Sequence, residues 1–264
     1  MALNSALVVF LGFVLYRNEV SLAILFSAFL ATFSVYALNK VTDKAEDAIN
    51  RPDSDPKNSK YFLISSLVAL FLSLGIGLLE GPWVALVLVT PLFIGLLYNV
   101  RFSNKVPRLK EVIGVKSILV AFSWAFTGSL LPAFVSPVSH ELVLLFFIYI
   151  FFSLFVNTVL FDVFDLRGDQ RSGIKTIPFV LGLKRTKIFL VLMNSCLVVW
   201  LVYSASRGLF LNCMPALVFG VLSSYLIIEH LMNHRFKRLS AELLVDGEWV
   251  PLIAILRISL GLFG

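Results

Sequence analysis

The stretch ELVLLFFIYIFFSLFVNTVLFDVFDLRGD, residues 141–169, decides how this chain folds. From Leu142 to Phe161 it carries no charged residue; then Asp162, Asp165 and Asp169 arrive in close succession. An apolar run of about 20 residues is what a helix needs to cross a bilayer. A barrel strand would instead alternate polar and apolar positions over roughly 10 residues. The run therefore predicts a membrane helix over 140–164 that closes on an acidic end.

The rest of the chain repeats this grammar. Of 264 residues, 59% are hydrophobic and 14% charged, and the mean hydropathy is +0.92. That is too apolar for an ordinary soluble domain. Backbone polar groups cannot stay unpaired in hydrocarbon, so such a chain must be built from spanning helices or a closed barrel. The uninterrupted runs select helices. Apolar segments bounded by charge, Pro or Gly fall at 2–16, 20–42, 59–79, 82–99, 111–134, 140–164, 185–205, 209–232 and 240–263. The expected fold is thus all-α, a single membrane-embedded domain of about nine helices bundled around a central cavity. Asp246 and Glu248 interrupt the last segment, and residues 239–246 are candidates for the interface.

The formal charge of +6 does not point to nucleic acid, because the basic residues are divided among short loops. They gather after even-numbered segments, as with Lys40, Lys44, Arg51, Lys57 and Lys60 after the second; the odd-numbered ends hold only Arg17 and Arg207. By the positive-inside rule this puts the N-terminus in the cytoplasm and the C-terminus outside. Both cysteines, Cys196 and Cys213, lie in apolar runs, and there is no disulfide framework or CxxC metal motif.

Two acidic clusters carry the chemistry, and both close even-numbered helices. Asn39, Asp43 and Asp47 are spaced i, i+4, i+8. At about 3.6 residues per turn they fall within about 80° on one helical face. Asp162, Asp165 and Asp169 lie within about 60° of one another on theirs. Like charges so close disfavour full ionisation unless cations intervene. Mg²⁺ is the natural partner, because it takes one or two carboxylates and completes its shell with water and substrate phosphate oxygens. Two such faces together can clamp one diphosphate through bridging metals.

The sequence around these clusters resembles the UbiA superfamily of intramembrane prenyltransferases. Asn39-x3-Asp43-x3-Asp47, followed by Asn50-Arg51-Pro52, is similar to the family's first aspartate-rich motif. Asp162-x2-Asp165-x3-Asp169, continuing through Gly173-x2-Thr176-x-Pro178 and Gly182, is similar to the second and its following loop. Two departures stand out. Many members carry a lysine where this chain has Phe161, and Asp53-Ser54-Asp55-Pro56 replaces a small-residue stretch after the Arg-Pro pair.

The resemblance implies transfer of a prenyl group from an allylic prenyl diphosphate to a lipophilic acceptor, either an aromatic ring or a glycerol-ether lipid precursor. The active site would face the cytoplasm and use Mg²⁺, two ions by expectation. Asp43, Asp47, Asp165 and Asp169 would be the catalytic metal ligands, with Asp162 assisting. Asn39, Arg51, Tyr98, Arg108, Lys110, Lys116 and Lys175 are candidates for the diphosphate. Lys116, a turn and a half inside its helix, either snorkels to the interface or faces the cavity. A divalent-cation transporter is the alternative from another class. Transporters, however, tend to place ligands near the midplane, whereas these acids are confined to one side.

Overall fold

The computed structural model describes residues 1–42, 59–99, 109–233 and 238–263. Asp43, Asp47, Arg51 and Arg108 lie outside the described residues. Ten α-helices are present among those described: α1 Ala2–Leu15, α2 Leu22–Thr42, α3 Ser59–Glu80, α4 Pro82–Asn99, α5 Val115–Ala133, α6 His140–Arg171, α7 Ile177–Ser206, α8 Met214–Asn233, α9 Arg238–Gly247 and α10 Trp249–Phe263. Among the described residues, six stretches are long and apolar enough to cross a membrane: α2, α3, α5, α6, α7 and Leu211–Asn233, which contains α8. Ala2–Leu15 and Pro82–Leu97 are shorter apolar helices. All nine expected segments are helical, and the largest differences from the sequence reading fall in the sixth, seventh and ninth.

The sixth helix runs on to Arg171 rather than ending near 164. At 32 residues it extends about 48 Å, well beyond a hydrocarbon core of about 30 Å. Its last turns are therefore free to carry three aspartates without breaking the backbone hydrogen-bond ladder. The seventh helix starts at Ile177 rather than near 185, and Gly182, with φ of 71°, breaks it just after its first turn. The positive φ is one glycine adopts at little steric cost, which explains how the chain bends there.

The ninth segment is divided between α9 and α10. Glu248 sits at the break, where its carboxylate accepts from Asn157 Nδ2 at 2.7 Å and from Ser223 Oγ at 3.4 Å. Asn4 Nδ2 also donates to the carbonyl of Asp246 at 3.1 Å. A carboxylate inside a bundle is tolerable only with such donors. One face of α9 packs on the bundle, with Ala241 and Val245 fully buried, while Leu243 and Leu244 are exposed.

The buried apolar residues form two clusters. The larger joins α1, α5, α6, α7, α8, α9 and α10; the smaller joins α1, α2, α4 and α5. Helices α1 and α5 belong to both and pack against each other. Small hydroxyls tie neighbouring helices where lipid gives no hydrophobic drive for association. Ser66 donates to the Ser34 carbonyl at 2.8 Å and Ser73 to that of Ser27 at 2.8 Å, locking α3 onto α2. On the other side Trp200 Nε1 donates to the Leu145 carbonyl at 2.9 Å, and Tyr149 Oη to that of Leu217 at 3.1 Å.

Replacing Asn157 with Leu leaves the Glu248 carboxylate without its short donor. The expected loss is about 1–3 kcal/mol, the cost of a buried polar group stripped of its partner. It is read as a lower melting temperature of the detergent-solubilised protein.

Candidate active site

Where the two core clusters meet, the bundle encloses a cavity of about 490 Å³. Its walls come from α1, α2, α4, α5, α6 and α9, together with the α6–α7 loop at Ile174. Along α5 the lining runs from Lys116 through Val120 and Trp124 to Gly128. That is a depth of about 18 Å at 1.5 Å per residue. The end near Lys116 is polar, with Asn39, Lys40, Asp162, Asp165 and Asp169. The deeper wall is apolar in effect, because its hydroxyls turn back to their own helices. Ser123 donates to the Leu119 carbonyl at 2.8 Å, and Thr127 to that of Ser123 at 2.8 Å.

Asn39 of the first motif and all three aspartates of the second thus line one cavity, although more than a hundred residues separate them in sequence. Helix α6 supplies the aspartates on a single face of its last turns. Helix α2 supplies Asn39 one turn before its end at Thr42.

The electrostatic centre is Lys116. Its Nζ lies 3.1 Å from Asp162 Oδ1, and 3.3 and 3.2 Å from Asp169 Oδ1 and Oδ2. Lys116 is itself one of the lining residues. Asp162 also accepts from Ser117 Oγ at 2.6 Å. Asp162 and Asp169 are buried, at 3% and 2% exposure, while Asp165 is half-buried at the wall. A cation against two buried carboxylates is the compensation such charges require.

The other predicted phosphate contacts are not all gathered here. Lys175 is exposed on the loop after α6 and is not among the lining residues. Lys110 lies in a 3₁₀ turn, Leu109–Glu111, that leads toward α5, and Tyr98 is in the last turn of α4. The structure also brings in residues the sequence reading passed over. Lys40, counted there among the topology-setting charges, faces the cavity, as do Glu242 and Asp246, spaced i, i+4 on α9. Ser117 carried no sequence signal at all, being short, neutral and within an apolar helix.

The donor set suits a hard divalent cation: carboxylate oxygens from α6 and an amide carbonyl from Asn39 are the ligands Mg²⁺ prefers. Among the described residues, no three acidic, His or Cys side chains are gathered tightly enough to hold a metal by themselves. The cluster is instead bridged by an ammonium.

A helical membrane bundle around a cavity that is apolar within and carboxylate-lined at one end is an enzyme-like architecture for a ligand with a polar, metal-binding head and a lipid-like tail. The sequence model of the UbiA prenyltransferase family matches residues 5–244, and this chain belongs to that family. It is an intramembrane prenyltransferase. A digeranylgeranylglyceryl phosphate synthase from Sulfolobus acidocaldarius is 23% identical over 244 residues, spanning 87% of this chain and 82% of the relative. A second synthase of the same name, from Natronomonas pharaonis, is 31% identical over 163 residues, spanning 60% of this chain and 55% of the relative. Among solved structures, a UbiA homolog from Archaeoglobus fulgidus bound to GPP and Mg²⁺ has a TM-score of 0.72 at 16% identity, covering 98% of this chain and 96% of that one. A UbiA homolog from Aeropyrum pernix K1 has a TM-score of 0.70 at 16% identity, covering 98% and 95%.

Gly95 of α4 lines the cavity, and a Cβ built there meets no atom within 4 Å. Gly95→Phe is therefore expected to fold, since glycine inside a helix costs about 1 kcal/mol relative to better helix formers. Its ring is expected to fill part of the cavity. Prenyl transfer should fall at least about tenfold, the equivalent of about 1.4 kcal/mol in the barrier, with an unchanged melting temperature.

Proposed function

We propose that this chain moves a prenyl group from an allylic prenyl diphosphate to a lipophilic acceptor, with Mg²⁺ held between the two acidic helix ends. The observation that carries the reading is the shared cavity: Asn39 and Asp162, Asp165 and Asp169 line its polar end, with a lipid-compatible chamber behind them. In this reading Asp43, Asp47, Asp165 and Asp169 would hold Mg²⁺, two ions by expectation. When bound, the metal neutralises charge on the departing diphosphate.

The chain's own residues do the rest. Asn39 orients the head group through its amide, and Lys116 offers an ammonium to the phosphate oxygens. Arg51, Arg108 and Lys110 are assigned to the diphosphate from the sequence, as basic residues of loops that follow even-numbered segments, and Tyr98 as a hydroxyl donor. Lys175 is the weakest of the set because it stands outside the cavity wall. Breaking the C–O bond of the donor leaves an allylic cation. Tyr36, Trp124 and Phe161 line the chamber and can face that cation. Such contacts are worth about 0.5–2 kcal/mol each, and the same rings exclude the water that would quench it.

The two synthases whose names specify a glyceryl phosphate product favour a glycerol-ether precursor over an aromatic ring as acceptor. The charge asymmetry of the loops supports an active site open to the cytoplasm, an N-terminus on that side and a C-terminus outside.

The test incubates purified protein with Mg²⁺, labelled prenyl diphosphates of several lengths, and both glycerol-ether and aromatic acceptors. Wild type should transfer the label, and Asp43→Ala and Asp169→Ala should each lower the rate by about 10²–10³-fold, the usual cost of losing a group that stabilises developing charge. Undiminished product in both variants would remove the assigned roles. Metal-driven ion flux in liposomes without transfer would favour a transporter.

A further inference from the structure

The three aspartates of α6 are held in different ways, and the difference separates their work. Both oxygens of Asp162 are engaged, by two donors from α5: Oδ2 accepts from Ser117 Oγ at 2.6 Å and Oδ1 faces Lys116 Nζ at 3.1 Å. Ser117 is itself only 1% exposed. Thr158, about one turn earlier on α6, donates to the Ser117 carbonyl at 3.4 Å, so the two helices are joined at this level by backbone as well as side chain. Asp169 instead meets the Lys116 ammonium with both oxygens, at 3.2 and 3.3 Å. Asp165 stands half-buried at the cavity wall.

We propose that Asp162 is a positioning residue and not a metal ligand: with Ser117 it fixes Lys116 as a resident cation of the diphosphate site, leaving Asp165 and Asp169 to the metal. The proposal deepens the reading of this cavity as a diphosphate site and rests on it. Both contacts of Asp162 reach α5, and the one from Ser117 is a short charge-assisted bond from a buried hydroxyl, so Asp162 braces α6 against α5 and holds the Lys116 ammonium in place. A divalent ion on Oδ1 of Asp162 would stand directly against that ammonium, two cations on one carboxylate oxygen. Among the described residues the Asp169 carboxylate meets one donor, and that donor sits on a flexible four-carbon stem. Lys116 can therefore keep Asp162, release Asp169, and turn to an incoming phosphate oxygen, so that Asp169 regains both of its own.

The experiment uses the full chain in detergent, with Mn²⁺ in place of Mg²⁺ and inorganic pyrophosphate as the head-group probe. Bound Mn²⁺ is counted by electron paramagnetic resonance, and the KM of the prenyl diphosphate is measured alongside. Asp162→Asn and Ser117→Ala should keep the wild-type number of Mn²⁺ ions. Asp162→Asn should weaken pyrophosphate binding and raise KM by about tenfold, as expected when a charged hydrogen-bonding partner is misplaced, with Ser117→Ala moving in the same direction. Lys116→Met should reproduce that effect, and combining it with Asp162→Asn should add little, because the two act as one unit. Asp169→Asn, by contrast, should lose bound Mn²⁺. Loss of an ion in Asp162→Asn or Ser117→Ala, or unchanged pyrophosphate affinity in Asp162→Asn, would overturn the assignment while the diphosphate site itself stands. Wild type that binds neither Mn²⁺ nor pyrophosphate would remove the site and this proposal together. Ser117→Ala, which removes one hydroxyl and no charge, carries the test if Asp162→Asn does not fold.

Discussion

Carboxylates buried at the end of a membrane bundle need compensating partners, and for Asp162 and Asp169 that partner is a cation built into the protein. Lys116 reaches Asp162 and Asp169 from the neighbouring helix, and the arrangement fixes how α5 and α6 meet. Desolvating two carboxylates without it would cost several kcal/mol per ion. With it, a cluster of negative charge sits at the mouth of an apolar chamber. Such an end suits a ligand that brings both negative phosphate and its own metal ions.

The remaining architecture serves that juxtaposition. Helices α1 and α5 belong to both apolar clusters, and both line the cavity. Serine hydroxyls seat α3 on α2, and Trp200 and Tyr149 tie α6 to α7 and α8, so the two motif-bearing helices are each braced from behind. The divided last segment closes another wall. Glu248 is anchored on Asn157 and Ser223, and α9 thereby turns Glu242 and Asp246 toward the chamber. The consequence is a container for a substrate with two incompatible halves, a charged head and a greasy tail, which accounts for a prenyltransferase residing in the bilayer.

Much of this was legible in the sequence because membrane helices and acidic motifs both leave local signals. The run from Leu142 to Phe161 announced its helix, and the spacing of Asp162, Asp165 and Asp169 announced a common face. What escaped was whatever depended on contact between distant segments. Helix α6 continues past 164 because a helix that has left hydrocarbon can carry charge, a point that hydropathy does not register. The break at Glu248 needed Asn157 from another helix to make it stable. Ser117 is an ordinary hydroxyl until Asp162 is placed 2.6 Å from it. Lys116 reads in sequence as one cation just inside an apolar helix, and only the fold sets it against Asp162 from α6. Lys175 is exposed on the loop beside Ile174, and only Ile174 of the pair is a lining residue.

The central claim is that the ends of α2 and α6 share one diphosphate above this chamber. A cryo-electron microscopy structure of the protein with Mg²⁺ and a non-reactive prenyl thiodiphosphate tests it most directly. The account predicts head-group density between Asn39 and Asp169, with the tail running down α5 toward Gly128. Density for the head group against a different set of helices, with the space between Asn39 and Asp169 holding no part of the ligand, would contradict it.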